Sequence, residues 1–125
     1  SGVSSDFRDI TAAVKAGDEK AIRASKTLMY QIRKYIGAYA AAMGGLDAVV
    51  FTAGLGENQA NVREGAMEGL EFLGIDFDSD VNNNVPKPSP VTCLTKPNSK
   101  VKVYLIPTNE ELMIAKDTEE LVKAL

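Results

Sequence analysis

The sequence contains no histidine and a single cysteine, Cys93. The first absence removes His-based acid–base catalysis and His-rich metal sites from this chain. The second excludes an internal disulfide and points to a reducing compartment, so a cytoplasmic location is expected. No apolar run approaches the roughly 20 residues that cross a bilayer, and the N-terminus has neither the basic nor the apolar region of a signal peptide. No membrane partner is expected. Basic residues are also in short supply. Lys and Arg number 14 against 17 Asp and Glu, a net charge of −3, which argues against a nucleic-acid or anionic-membrane surface. What remains is ordinary for globular protein: 45% hydrophobic and 25% charged residues over 125 positions. That is enough for a single domain, 1–125, with a real core. The sequence opens on Ser1-Gly2 with no leading Met, and is expected to be a portion of a longer chain.

The stretch that organises the chain is Asp47–Asn61, DAVVFTAGLGENQAN. Ala48, Val49, Val50 and Phe51 suit a buried strand. Thr52, Ala53, Gly54 and Gly56 then form a small-residue turn. From Asn58 onward Val62, Ala66, Met67 and Leu70 fall at helical spacing. A strand, a glycine turn and a helix N-terminus make a phosphate or nucleotide cradle, because glycine admits close backbone approach and the helix end offers unpaired N–H groups. The same order also describes a plain βα connection. It is not a P-loop, since no Gly-Lys-Ser/Thr follows, and it is a poor dinucleotide fingerprint, since Gln59 and Ala60 stand where a third glycine would be sought.

Upstream, Ser4 or Ser5 is expected to cap a helix that carries Phe7, Ile10, Thr11 and Val14 on one face and stops at Gly17. Asp6, Phe7 and Arg8 there read as a capping acid, a core aromatic and a solvated base. Asp18 caps a second helix running to Met43 and stopped by Gly44-Gly45. At about 1.5 Å per residue it spans roughly 39 Å, more than this chain's own core needs. It is expected to pack on something else, a further domain or a second subunit, while its Tyr and Met stripe reads as core. Downstream, Gly69 and Gly74 bracket a helix end, and 76–97 is a long irregular stretch with prolines at 86, 88, 90 and 97. Val91-Thr92-Cys93-Leu94 could be a short edge strand within it. Asp76, Asp78 and Asp80 alternate as in a calcium loop but lack its glycine and its closing Glu. Lys100–Ile106 is a strand ended by Pro107. Thr108 or Asn109 caps a last helix with Glu110 and Glu111 in its first turn and Leu112, Met113, Ala115 and Leu121 as its buried face. The order β-α-β-α predicts an α/β fold with parallel strands, and puts Glu57/Asn58 and Glu110/Glu111 at one sheet edge.

Three stretches in this order resemble the acetate kinases of the acetokinase family: SGVSSDFRD at 1–9, VFTAGLGENQANVRE at 50–64 and IPTNEELMIAKDT at 106–118. YIGAYAAAMGGLDAVVF at 35–51 is similar to that family's long helix running into its nucleotide-binding strand. The resemblance implies the actin/Hsp70/sugar-kinase (ribonuclease H-like) ATPase fold, of which this chain would be the C-terminal part of the second duplicated half. It implies reversible, ATP- and Mg2+-dependent phosphorylation of acetate to acetyl phosphate by a homodimer. Carried over by motif, Asp6, Phe7 and Arg8 fall on the adenosine-contacting segment. Gly54, Leu55, Gly56, Glu57 and Asn58 fall on the ATP-binding turn, and Glu110 on the magnesium-associated glutamate. The family's catalytic aspartate, arginines, histidine and acetate pocket come from earlier sequence, so the chain is expected to be inactive alone. A propionate or butyrate kinase is the near alternative, and a stand-alone nucleotide-binding or dimerisation module without chemistry is the alternative of another class.

Overall fold

The computed structural model describes residues 1–87 and 89–123. Pro88, one of the prolines of the irregular stretch, lies outside the described residues. Helices α1 (Phe7–Lys15) and α2 (Glu19–Met43) are followed by β1 (Ala48–Phe51), α3 (Ala53–Asn58) and α4 (Ala60–Met67). A 3-10 turn (Glu71–Leu73), α5 (Ser79–Asn83), β2 (Thr92–Cys93), β3 (Lys102–Leu105) and α6 (Glu110–Lys123) complete the order.

The long helix begins and ends as its sequence dictates. The Asp18 carboxylate accepts from the Ala21 N–H at 2.8 Å, and Gly44 closes α2 at φ +73°, a left-handed turn that costs glycine nothing. At α1 the cap is Asp6 rather than Ser4 or Ser5. Asp6 holds extended backbone and accepts from the Arg8 N–H at 2.8 Å, while the Ser4 hydroxyl accepts from the Asp6 N–H at 3.0 Å and shapes the approach.

The sheet is three-stranded and mixed, in the order β1-β3-β2. β1 and β3 are parallel, Ala48 opposite Lys102 and Phe51 opposite Leu105, so their carboxyl ends share one edge. β2 is antiparallel to β3, which departs from an all-parallel expectation. A strand reached through the short irregular stretch 94–101 returns as a hairpin-like neighbour, whereas β1 to β3 has room for helices between. Val101, just before β3, and Val103 and Leu105 within it are buried in one core with Leu94, Phe51, Ile75 and the helical face Ala66, Met67 and Leu70. On α2, Ile32 and Ile36 pack against this core.

Three apolar surfaces expected to be buried are not covered. β1 is an edge strand, with Ala48 exposed and Val50 50% exposed. Tyr35, Tyr39 and Met43 of α2 are also exposed, the two tyrosines stacked on each other at 6.0 Å between ring centroids. They lie off the Ile32–Ile36–Ala40 line that meets the core. Helix α6 buries none of its described residues; Leu112, Met113, Ile114, Leu121 and Val122 face outward. The periodicity is real, but the described residues supply no surface against which to bury it.

Candidate functional site

Where β1 ends, Phe51 still pairs with the neighbouring strand, and its carbonyl accepts from the Ile106 N–H at 2.9 Å. The chain then turns sharply through Ala53, the one non-glycine residue at positive φ (+58°) among the described residues. The expected glycine turn is itself the short helix α3, so Gly54 and Gly56 lie on helical backbone. They have different surroundings. A Cβ at Gly54 would meet nothing within 4 Å, whereas one at Gly56 would stand 3.2 Å from the Phe51 carbonyl carbon. Gly56 is thus a contact glycine that lets α3 lie on the strand end, and Gly54 faces open space. Thr52 provides no side-chain cap to the first-turn N–H groups of α3.

A cavity of about 310 Å³ opens at this point, lined by Asp6, Phe7, Arg8, Gly54, Leu55, Asn58 and Gln59. The structure therefore brings the start of α1 to the outer face of α3, although some fifty residues separate them in sequence. One side-chain bond spans the meeting, the Thr11 hydroxyl reaching Gln59 Oε1 at 3.2 Å; within α3 the Asn58 amide donates to the Gly54 carbonyl at 2.9 Å. Gly56 and Glu57 do not line this cavity. Gln59 does, and sequence reasoning missed it, because the helix break that places it there depends on contacts made by Arg63 and Asn82. A more open hollow of about 570 Å³ around Glu71–Asp76 and Asn98–Lys100 holds none of the residues named above as site candidates.

Helices α3 and α4 are separated by a break at Gln59 (φ −118°, ψ 82°). A continuous helix would pair the Gly56 and Glu57 carbonyls with the N–H groups of Ala60 and Asn61. Arg63 takes both instead, from one guanidinium nitrogen at 2.7 and 3.1 Å. Its other nitrogens donate to Asn82 Oδ1 at 2.7 Å and to the Asn82 carbonyl at 3.1 Å, and the Asn82 amide returns to the Ala60 carbonyl at 3.0 Å. Both side chains are fully buried. Burial pushes the Arg63 pKa down from its ordinary value, because only neutral oxygens receive its charge.

The charged groups of the rim are paired locally. The Arg8 guanidinium grips the Asp6 carboxylate through Nε at 3.0 and 3.1 Å, which, with the Arg8 N–H, holds the Asp6 pKa down at about 2. Asp6 raises Arg8 in return. At the sheet edge, Glu57 Oε1 accepts from both the N–H and the hydroxyl of Thr108, each at 2.9 Å. These two donors, the N–H first, hold its carboxyl below the usual range. Glu110 lies two residues further, exposed in the first turn of α6, where Asn109 Oδ1 caps the Leu112 N–H at 3.1 Å. Magnesium ordinarily takes one or two carboxylates and completes its shell with waters and substrate phosphates. Among the described residues no three Asp, Glu, Cys or His gather into a cage, and an exposed carboxylate such as that of Glu110 at this edge fits such an open shell. No described helix is long and apolar enough to cross a membrane.

The Acetokinase family model matches residues 1–116. The chain is 56% identical over 122 residues to an acetate kinase of Fusobacterium nucleatum, covering 98% of this chain and 30% of that protein. Among solved structures, Porphyromonas gingivalis acetate kinase superposes with a TM-score of 0.86 at 51% identity, covering 98% of this chain and 30% of that one. A propionate kinase from Francisella tularensis gives a TM-score of 0.74 at 35% identity, with 88% and 27% covered. The chain thus spans about 30% of the length of the curated relatives it matches.

Proposed function

This chain belongs to the acetokinase family, and from that premise we propose that it is the C-terminal portion of the second duplicated half of an acetate kinase. In this reading it supplies the nucleotide and magnesium half-site for reversible transfer of the ATP γ-phosphoryl group to acetate. What supports the reading is the cavity. Asp6, Phe7, Arg8, Gly54, Leu55 and Asn58, assigned to ATP by the family resemblance from two distant stretches, line one hollow. Phe7 offers an apolar wall for a base, and the backbone at the start of α3, where Gly54 carries no Cβ and meets open space, lets phosphate oxygens approach closely. Gly56 and Glu57 support the turn from behind rather than lining the hollow.

Glu110 would hold Mg2+, which would supply charge neutralisation for the nucleotide phosphates. The residues of this chain do the rest of its share: they bind the nucleotide, orient it along the sheet edge and keep α3 in place. Transition-state cations are expected from the remainder of the protein, so the chain alone is inactive. The uncovered faces of α2, β1 and α6 are where the remainder and a second subunit would pack. The test is a hydroxamate assay on the full-length gene product with acetate, propionate and butyrate, run beside this chain alone. Turnover best with acetate in the first and none in the second is the expected result. A full-length product that phosphorylates none of the three overturns the reading.

A further inference from the structure

The two lips of the sheet edge separate as soon as the strands end. After Phe51 the chain turns through Ala53 into α3, and after Leu105 it runs through Ile106 and Pro107 towards α6. The strand ladder closes with the bond from the Ile106 N–H to the Phe51 carbonyl. Beyond it, among the described residues, the hydrogen bonds joining α3 to the β3–α6 connection are the two that Glu57 Oε1 receives from Thr108. These partners are fifty-one positions apart in sequence. Glu57 is three residues from Gly54 and next to Asn58, both on the cavity wall; Thr108 is two residues from Glu110.

We propose that Glu57 is a positioning residue, a latch that holds the cavity wall and the Glu110 segment in fixed register. The inference rests on the functional reading above and deepens it. The role needs an acceptor rather than a charge, because both partners are donors, one of them a backbone N–H. Glu57 is half-buried and does not line the cavity, so its part in that wall is indirect. From beneath, Arg63 pins the carbonyls of Gly56 and Glu57, so the residue that carries the latch is itself held. A free edge would let the phosphate-facing helix and the magnesium carboxylate drift independently. A latched edge presents them together, as partners of metal ligands commonly do.

The experiment uses the full-length enzyme and measures the KM for ATP, the half-saturating Mg2+, the KM for acetate and Tm. Glu57→Ala should raise the first two by about 10-fold, the usual scale for removing a supporting partner, with the acetate KM and Tm unchanged. Glu57→Gln keeps an acceptor oxygen in place and should restore both constants to within about twofold of the parent. Thr108→Ala added to Glu57→Ala should cost nothing further, since the two residues act as one unit. Parent-like constants in Glu57→Ala overturn the latch. Equal damage from Glu57→Gln and Glu57→Ala overturns it too, showing a group that works by charge, and so does full additivity with Thr108→Ala. A parent enzyme inactive on acetate with ATP removes the functional reading first and this inference with it.

Discussion

Replacing Arg63 by Met should be the most destabilising single change in this chain outside the apolar core. The side chain is 2% exposed and makes four hydrogen bonds of 2.7 to 3.1 Å, to the carbonyls of Gly56, Glu57 and Asn82 and to Asn82 Oδ1. Methionine matches the stem but donates nothing, so four acceptors lose their donor, two of them at a break where no helical N–H can replace it. Each buried acceptor left bare costs about 1–3 kcal/mol. One term runs the other way. Arg63 has no ion-pair partner among the described residues, and its lowered pKa means that folding disfavours its charged form; removing the charge recovers that penalty. Four losses against one recovery leave a net cost of about 3 kcal/mol. With an m-value near 1.5 kcal/mol/M, the urea midpoint should fall by roughly 2 M at constant slope. Arg63→Lys should recover only part, because one ammonium cannot span both the α3 carbonyls and Asn82. Asn82→Ala on top of Arg63→Met should add little, the two belonging to one network. A loss under about 1 kcal/mol for Arg63→Met would refute the reasoning, since the acceptors would then have other partners.

Gly56→Ala puts a Cβ 3.2 Å from the Phe51 backbone and should lower stability by about 1–3 kcal/mol as α3 is levered off the strand; Gly54→Ala, with open space around it, should leave Tm alone, and equal Tm losses would count against the distinction. Glu110→Ala in the full-length enzyme should raise the magnesium requirement and lower turnover at unchanged Tm, and Glu111→Ala should do neither. Unaltered magnesium dependence would make Glu110 a first-turn acid serving the helix dipole alone. The Asp6 carboxyl titrates at about 2 in the fold against an ordinary 3.8. A depressed folded pKa gives a contribution fully present above about pH 4 and lost as pH falls towards 2, so α1 helicity by circular dichroism should decline across that window in the parent and not in Asp6→Asn. Finally, the exposed apolar faces of α2 and α6 predict self-association of the isolated chain, and a clean monomer at high concentration in sedimentation would speak against it.

Much of the framework was legible from short-range chemistry. Asp18 and Gly44 bound α2 because a carboxylate near an N–H and a residue free to take positive φ act within one turn of chain. The alternation of Val101, Val103 and Leu105 and the spacing of Val62, Ala66, Met67 and Leu70 set which faces go inward, since side-chain direction follows the 2.0 and 3.6 periods. The family motifs at 1–9, 50–64 and 106–118 likewise pointed to the stretches that meet at the sheet edge. Tertiary structure decided the rest. No local rule says that Gln59 breaks the helix, because the break depends on Arg63 and Asn82 arriving to satisfy the freed carbonyls. Nothing near Gly56 in sequence separates its packing role from the open setting of Gly54; the Phe51 backbone does that. The latch between Glu57 and Thr108 and the join between Thr11 and Gln59 are bonds across some fifty residues. The apolar stripes of α2 and α6 show the remaining difference. Periodicity records that a face is meant to be covered, and only a partner surface brought up in space determines whether it is.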